Sequence, residues 1–214
     1  MQKKSDEIFD LLSNRFGQAT CELNFSNNYE LIVAVVLSAR CTDKRVNIVT
    51  EDLFKKYPTP QDLANADIND VEKLIYSCGF YKNKSKAIIN LAKDIVEKFN
   101  SKLPDTLEGL TSLSGVGRKT ANVVLSVGFN KPAIAVDTHV FRLSNRLGLT
   151  KSNDVLGCEK DLMKNVKKEK WSQFHHYLVL FGRYVCHSQN PKCAECELKQ
   201  YCKFNKKFFK DKKY

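Results

Sequence analysis

The stretch Leu113–His139, LSGVGRKTANVVLSVGFNKPAIAVDTH, decides how this chain is read. Upstream, Asp105 and Glu108 have the spacing of a capping box, which predicts a short helix. That helix cannot run through Gly115 and Gly117, which favour a tight turn with unusual dihedrals. A second helix is predicted from about Gly117 through RKTANVVLSV, with Gly128 as its C-cap. Helix, hairpin and helix in this order leave backbone N–H groups free beside a helix N-terminus. That is a site for a phosphate. Contacts of Gly115, Val116, Gly117, Arg118 and Thr120 with a phosphodiester backbone would hold nucleic acid without reading its sequence. Taken alone, Gly-X-Gly before a helix also fits a purely structural turn.

The 214 residues carry a formal net charge of +11, with a sequence pI near 9.2. This balance fits a polyanionic partner. The 28 lysines against 7 arginines, with 17 asparagines, equally fit a basic surface spread over the whole molecule. No apolar run approaches the roughly 20 residues of a membrane span. The N-terminus MQKKSDEIFDLL reads as an amphipathic helix and not as a secretory signal.

Four of the eight cysteines, Cys186, Cys193, Cys196 and Cys202, cluster with six, two and five residues between them. Cys21, Cys41, Cys78 and Cys158 are scattered. Such clustering points to metal ligation in a reducing compartment. Four thiolates hold either a tetrahedral zinc or an iron–sulfur cluster.

Along the rest of the chain, Ile8, Leu11 and Leu12 predict a first helix over residues 1 to about 20, with Gly17 near its end. Ser26 or Asn27 is placed to cap the next element. That element, LIVAVVLSA at residues 31–39, has the β-branched apolar character of a buried strand. Asp43 is expected to be a helix N-cap. Two helical segments come next, with turns at YPTPQD and near Gly79. Phe80 then sits at a loop tip before a basic helix start (Lys82, Lys84, Lys86). After the central stretch come a turn, a polar helix and the amphipathic WSQFHHYLVLFGRYVC, which delivers Cys186. His175 and His176 are adjacent, so on a helix they point about 100° apart; they read as packing residues. The tail FNKKFFKDKKY is basic and expected to fray. The count is about ten helices with short connections and no solenoid repeat.

LSGVGRKTA followed by VDTHVFRLSNRLG resembles the helix-hairpin-helix DNA glycosylases, and within them the endonuclease III family. The resemblance covers nearly the whole chain. It implies an all-α fold of two helical lobes with a DNA-binding cleft, in which residues 31–39 form a buried helix. Residues 21–131 would be a six-helix domain with the hairpin; residues 1–20 and 132–214 would form the iron–sulfur domain. The C-x6-C-x2-C-x5-C spacing matches the family's 4Fe–4S loop, which makes Cys186, Cys193, Cys196 and Cys202 the expected cluster ligands, in a role that fixes the loop.

The resemblance further implies that Lys119 is the nucleophile and Asp137 its carboxylate partner. The chain is then a base-excision-repair DNA glycosylase and apurinic/apyrimidinic lyase for oxidised pyrimidines. A primary amine alone both displaces a base and forms an iminium that acidifies the neighbouring carbon. Asp137 also reads as the N-cap of the next helix. The family has proline where Ser114 stands, leucine more often than Phe80 at the wedge position, and commonly glutamine at the position of Arg40. Lys192, with Arg183 before it, is a candidate phosphate contact. The expected partner is double-stranded damaged DNA, bound by a monomer in a bacterial-type cytoplasm. Two other readings compete: a monofunctional glycosylase of the same superfamily, disfavoured by Lys119, and a non-catalytic DNA-binding module.

Overall fold

The computed structural model describes residues 2–205. The basic tail beyond Asn205 lies outside them. Among the described residues the regular structure is helical throughout, with no strand. The chain divides into two compact units: residues 21–131, and residues 1–20 with 132–214.

The unit of residues 21–131 is built on α2 (Asn28–Leu37). Every residue from Leu31 to Leu37 is buried. A helix apolar on all sides is stable only when covered on all sides, and α3 (Asp43–Lys56), α6 (Tyr81–Phe99) and α8 (Arg118–Val127) cover it. The β-branched run is therefore a helix because its neighbours bury it, whatever its local preference. Asn27 starts it by accepting from the Glu30 N–H, and the Glu30 carboxylate accepts in return from the Ser26 N–H at 2.6 Å. The second predicted helical segment breaks into α4 (Pro60–Ala64) and α5 (Ile68–Leu74), which pack on α6.

Three expected caps move by one residue or change in kind. Thr42, not Asp43, caps α3. Thr106, not Asp105, caps the short α7 (Leu107–Thr111) by accepting from the Gly109 N–H at 3.1 Å. Asp105 instead pairs with Lys131 at 2.6 Å. Gly128 does cap α8, but with right-handed φ. It is glycine because a Cβ there would stand 2.6 Å from Asn28 Oδ1 and 2.9 Å from Leu31 Cδ2.

In the other unit α1 (Gln2–Phe16), α9 (Thr138–Leu147), α10 (Val155–Asn165) and α11 (Trp171–Tyr184) enclose a core centred on Ile8, Leu12, Leu143, Phe174, Leu178 and Phe181. Helix α1 ends at Gly17 in left-handed conformation, φ +59°, whose carbonyl accepts from Tyr177 Oη at 2.7 Å. The rings of His175 and His176 on α11 lie 4.2 Å apart, tilted by 31°.

Candidate active site and cysteine centre

The hairpin is a tight turn from Leu113 to Val116, closed by the Val116 N–H donating to the Leu113 carbonyl at 3.1 Å. Gly115 is its third residue, with φ +76°. Positive φ at that position is the mark of a type II turn, whose second position favours proline. Ser114 stands there. Its N–H, which proline would lack, donates to Asp94 Oδ2 on α6 at 2.7 Å. Asp94 also pairs with Lys98 at 2.7 Å. Burial alone would raise the Asp94 carboxyl, but the bonds from Lys98 and Ser114 outweigh it and hold it below the usual range.

Two parts of the sequence reading are corrected here. Val116 is buried and its N–H is spent on closing the turn, so it offers nothing to a phosphate. Gly117 is not in an unusual conformation: φ −86°, ψ 171° is ordinary extended backbone. What glycine provides there is room, since a Cβ on Gly117 would meet nothing within 4 Å. Gly117 is the N-cap of α8 and no side chain caps it. The first-turn N–H groups of a helix have no partner within it, and the helix dipole adds partial positive charge. An anion suits this end. Arg118 and Lys119 open α8 and are exposed, with Thr120 half-buried beside them.

Asp137 caps α9: its Oδ1 accepts from the Val140 N–H at 2.8 Å. One oxygen of the carboxylate is thus engaged by its own helix. Lys119 belongs to the unit of residues 21–131 and Asp137 to the other.

Arg40 and Phe80 are brought together. Both have left-handed backbones, φ 54° and 62°, a conformation that costs a non-glycine residue about 1–2 kcal/mol. The Arg40 guanidinium lies over the Phe80 ring at 5.5 Å. Phe80 is 60% exposed. Tyr76, which sequence reasoning passed over, is exposed and packs on Tyr81, the residue after Phe80, with ring centroids 4.9 Å apart. Of the lysines that open α6, Lys82 and Lys86 are exposed, but Lys84 is buried.

The four clustered cysteines line one pocket, together with Val185, Pro191 and Phe204. Among the described residues no three His, Cys, Asp or Glu side chains are gathered tightly enough to hold a single metal ion. Two arginines on α9, one helical turn apart, fasten the loop that carries the first sulfur. Arg142 donates to the carbonyls of Gly182 at 2.9 Å and Cys186 at 3.0 Å. Arg146 Nη1 donates to Cys186 Sγ at 3.2 Å and to the His187 carbonyl at 2.8 Å, and its guanidinium stacks over Phe204 at 4.2 Å. Sequence reasoning missed both; the signal was two arginines four apart on a helix otherwise set by Val140, Leu143 and Leu147. Burial pushes the Cys196 thiol up to about 11, so ionised sulfur in this cavity calls for added positive charge. Lys192 is exposed and lines the rim.

A family model described as the HhH-GPD superfamily base excision DNA repair protein matches residues 33–168. Endonuclease III of Bacillus subtilis is 49% identical over 212 residues, 99% of this chain and 96% of its own length. That of Synechocystis is 45% identical over 202 residues, 94% of this chain and 92% of its own length. A solved structure of a trapped endonuclease III–DNA covalent intermediate, in an estranged-adenine complex, superposes with TM-score 0.93 at 46% identity, covering 98% of this chain and 99% of that one. A thermostable thymine-DNA glycosylase, 21% identical with TM-score 0.83, shares the fold. This chain belongs to the HhH-GPD superfamily of base excision DNA repair proteins.

Proposed function

We propose that this base-excision-repair DNA glycosylase and apurinic/apyrimidinic lyase uses Lys119 as its nucleophile, Asp137 as the assisting carboxylate, and oxidised pyrimidines in duplex DNA as its substrates. The observation that carries the assignment is the place of Lys119: an exposed amine in the first turn of α8, directly beside a helix N-terminus that no side chain caps. A phosphate held by that terminus presents the adjoining sugar to the amine. The covalent DNA intermediate trapped for a relative 46% identical supports an enzyme nucleophile of this kind.

The damaged nucleotide must leave the stack, at a cost of a few kcal/mol. The phosphate grip at Gly117 and insertion of Phe80 offset that cost, with Arg40 facing the unpaired base. The Lys119 amine then attacks C1′, the glycosidic bond breaks, and the base departs with its electron pair. Asp137, negatively charged, stabilises the positive charge that develops on the sugar. Opening of the sugar gives an iminium; loss of a C2′ proton expels the 3′ phosphate; hydrolysis frees Lys119.

The C-x6-C-x2-C-x5-C spacing of Cys186, Cys193, Cys196 and Cys202, all lining one pocket, supports these four as ligands of a 4Fe–4S cluster in preference to zinc. When bound, the cluster supplies iron–thiolate bonds that fix the loop. The chain's own part is the fastening by Arg142 and Arg146, which leaves Lys192 displayed toward DNA. The enzyme acts as a monomer.

Borohydride trapping on duplex DNA containing thymine glycol tests the assignment. A covalent adduct is expected with the unaltered protein, none with Lys119→Gln, and a reduced yield with Asp137→Asn. Base release with no adduct would remove Lys119 from the nucleophile's role.

A further inference from the structure

Among the described residues, the two most exposed large apolar side chains are Tyr76, at 68%, and Phe80, at 60%, and both belong to one turn. The turn begins where α5 ends, with the Ile75 N–H donating to the Val71 carbonyl and the Cys78 N–H to the Ile75 carbonyl at 2.8 Å. It ends at Phe80, whose carbonyl accepts from the Asn83 and Lys84 N–H groups, both at 3.0 Å, and so starts α6. Ile75 and Cys78 are buried and anchor it; Tyr76, Ser77, Gly79 and Phe80 are exposed. One exposed apolar side chain is ordinary. Two large ones on a turn anchored in this way form a patch that suits a partner.

Tyr76 is held as well as exposed. Its ring meets that of Tyr81 with centroids 4.9 Å apart and planes at 55°. Offset and tilted contacts are the arrangements that aromatic pairs favour. Tyr81 follows Phe80 directly, so this contact ties Tyr76 to the wedge. It also restricts the ring before any ligand arrives, which lowers the entropy cost of binding. The flanking segments are basic. Lys73 has a side chain 79% exposed, Lys82 and Lys86 are exposed, and the Arg40 guanidinium lies over the Phe80 ring at 5.5 Å. The Asp70 carboxylate on α5 is already engaged by Lys56 at 2.8 Å and Lys73 at 3.8 Å. Aromatic faces set among cations are the surface that binds unstacked nucleotides.

We propose that Tyr76 is a second aromatic contact with the opened duplex, stacking on a base that adjoins the gap entered by Phe80. This rests on the function proposed above, in which the damaged nucleotide leaves the stack and Phe80 takes its space. Extrusion uncovers the faces of the bases beside the gap. An aromatic ring stacks on any base, because every base has a π-face, so Tyr76 supports the opened state without adding a sequence preference. A closed duplex has no uncovered face to offer. Tyr76 therefore acts on opened DNA and not on sound DNA.

The test uses the cluster-loaded full chain and two duplexes, one undamaged and one bearing a stable abasic analogue. Tyr76→Ala should bind the abasic duplex about tenfold more weakly than the parent and the undamaged duplex equally well. Tyr76→Phe keeps the ring and should match the parent on both. A fluorescent 2-aminopurine placed beside the gap, in each strand in turn, is quenched when a ring covers it. At the contacted position its emission should be higher with Tyr76→Ala than with Tyr76→Phe. Unchanged affinity for the abasic duplex, an equal loss on both duplexes, or equal emission at every position overturns the contact. Phe80→Ala is measured alongside. A loss there with none in Tyr76→Ala overturns the second contact and leaves the wedge; a loss in Tyr76→Ala with none in Phe80→Ala keeps the stacking and removes Phe80 from the gap. Neither readout depends on Lys119, so failure of the catalytic assignment is seen separately in the trapping assay.

Discussion

Asp137 is asked to do two things, and two substitutions separate them. Its Oδ1 holds the Val140 N–H at 2.8 Å as the cap of α9, and its charge is assigned to the sugar. Asp137→Asn keeps an acceptor oxygen on a side chain of the same shape and removes the charge. Asp137→Ala removes both. Loss of an N-cap costs about 1 kcal/mol, whereas asparagine caps as well as aspartate. For a chain of this size 1 kcal/mol is a shift of about 2–4 °C in Tm. Thermal unfolding should therefore place Asp137→Asn at the parent value and Asp137→Ala a few degrees below it. Single-turnover base release should fall by at least about 10²-fold in both, the usual cost of losing a preorganised charge at the reacting centre. The reasoning is refuted if Asp137→Asn releases base at the parent rate, since the carboxylate would then be a cap and nothing more. It is equally refuted if Asp137→Ala is slow only in proportion to its loss of folded protein.

Other substitutions probe the same geometry. Gly115→Ala places a side chain at φ +76° and a Cβ 3.3 Å from that of Ala87; urea unfolding should show a loss of about 1–2 kcal/mol, together with weaker binding to undamaged duplex. Ser114→Pro removes the N–H that Asp94 accepts; a double-mutant cycle should then find Asp94→Asn less costly by about 0.5–3 kcal/mol in that background, and full additivity would refute the link. Gly182→Ala would drive a Cβ to 2.7 Å from His139 Cβ and 2.9 Å from Leu143 Cδ1, and overpacking of this kind costs about 1–3 kcal/mol, measurable as a fall in Tm. Arg146→Met deletes the bonds to Cys186 Sγ and the His187 carbonyl; the visible absorbance of the loaded protein should decay faster under an iron chelator than in the parent.

The all-helical architecture was legible because its signals are local. Gly17 and Asn27 act where their chemistry placed them. The run Leu31–Leu37 was not legible from periodicity: a segment buried all round shows no face, and only the resemblance made it a helix. Caps slipped by one residue at Thr42 and Thr106 because neighbouring Thr and Asp compete for the same N–H, and the winner is set by where the chain turns. The hidden features are non-local. Nothing near Ser114 in the sequence announces Asp94, twenty residues earlier; nothing near Lys84 announces its burial; and the cysteine loop gives no hint of Arg142 and Arg146.

Helix α6 begins directly after Phe80, meets the hairpin at Ala87, and fastens Ser114 through Asp94. At about 1.5 Å per residue, the wedge and that fastening are about 20 Å apart along one unbroken rod. In the function proposed above, the phosphate grip at the hairpin and the insertion of Phe80 would therefore share a single continuous helix. A duplex gripped at both points must itself supply the bend and the opened step. Base pairs already weakened by damage yield at lower cost than sound ones, so the rigidity of α6 converts the softness of a lesion into a preference for it.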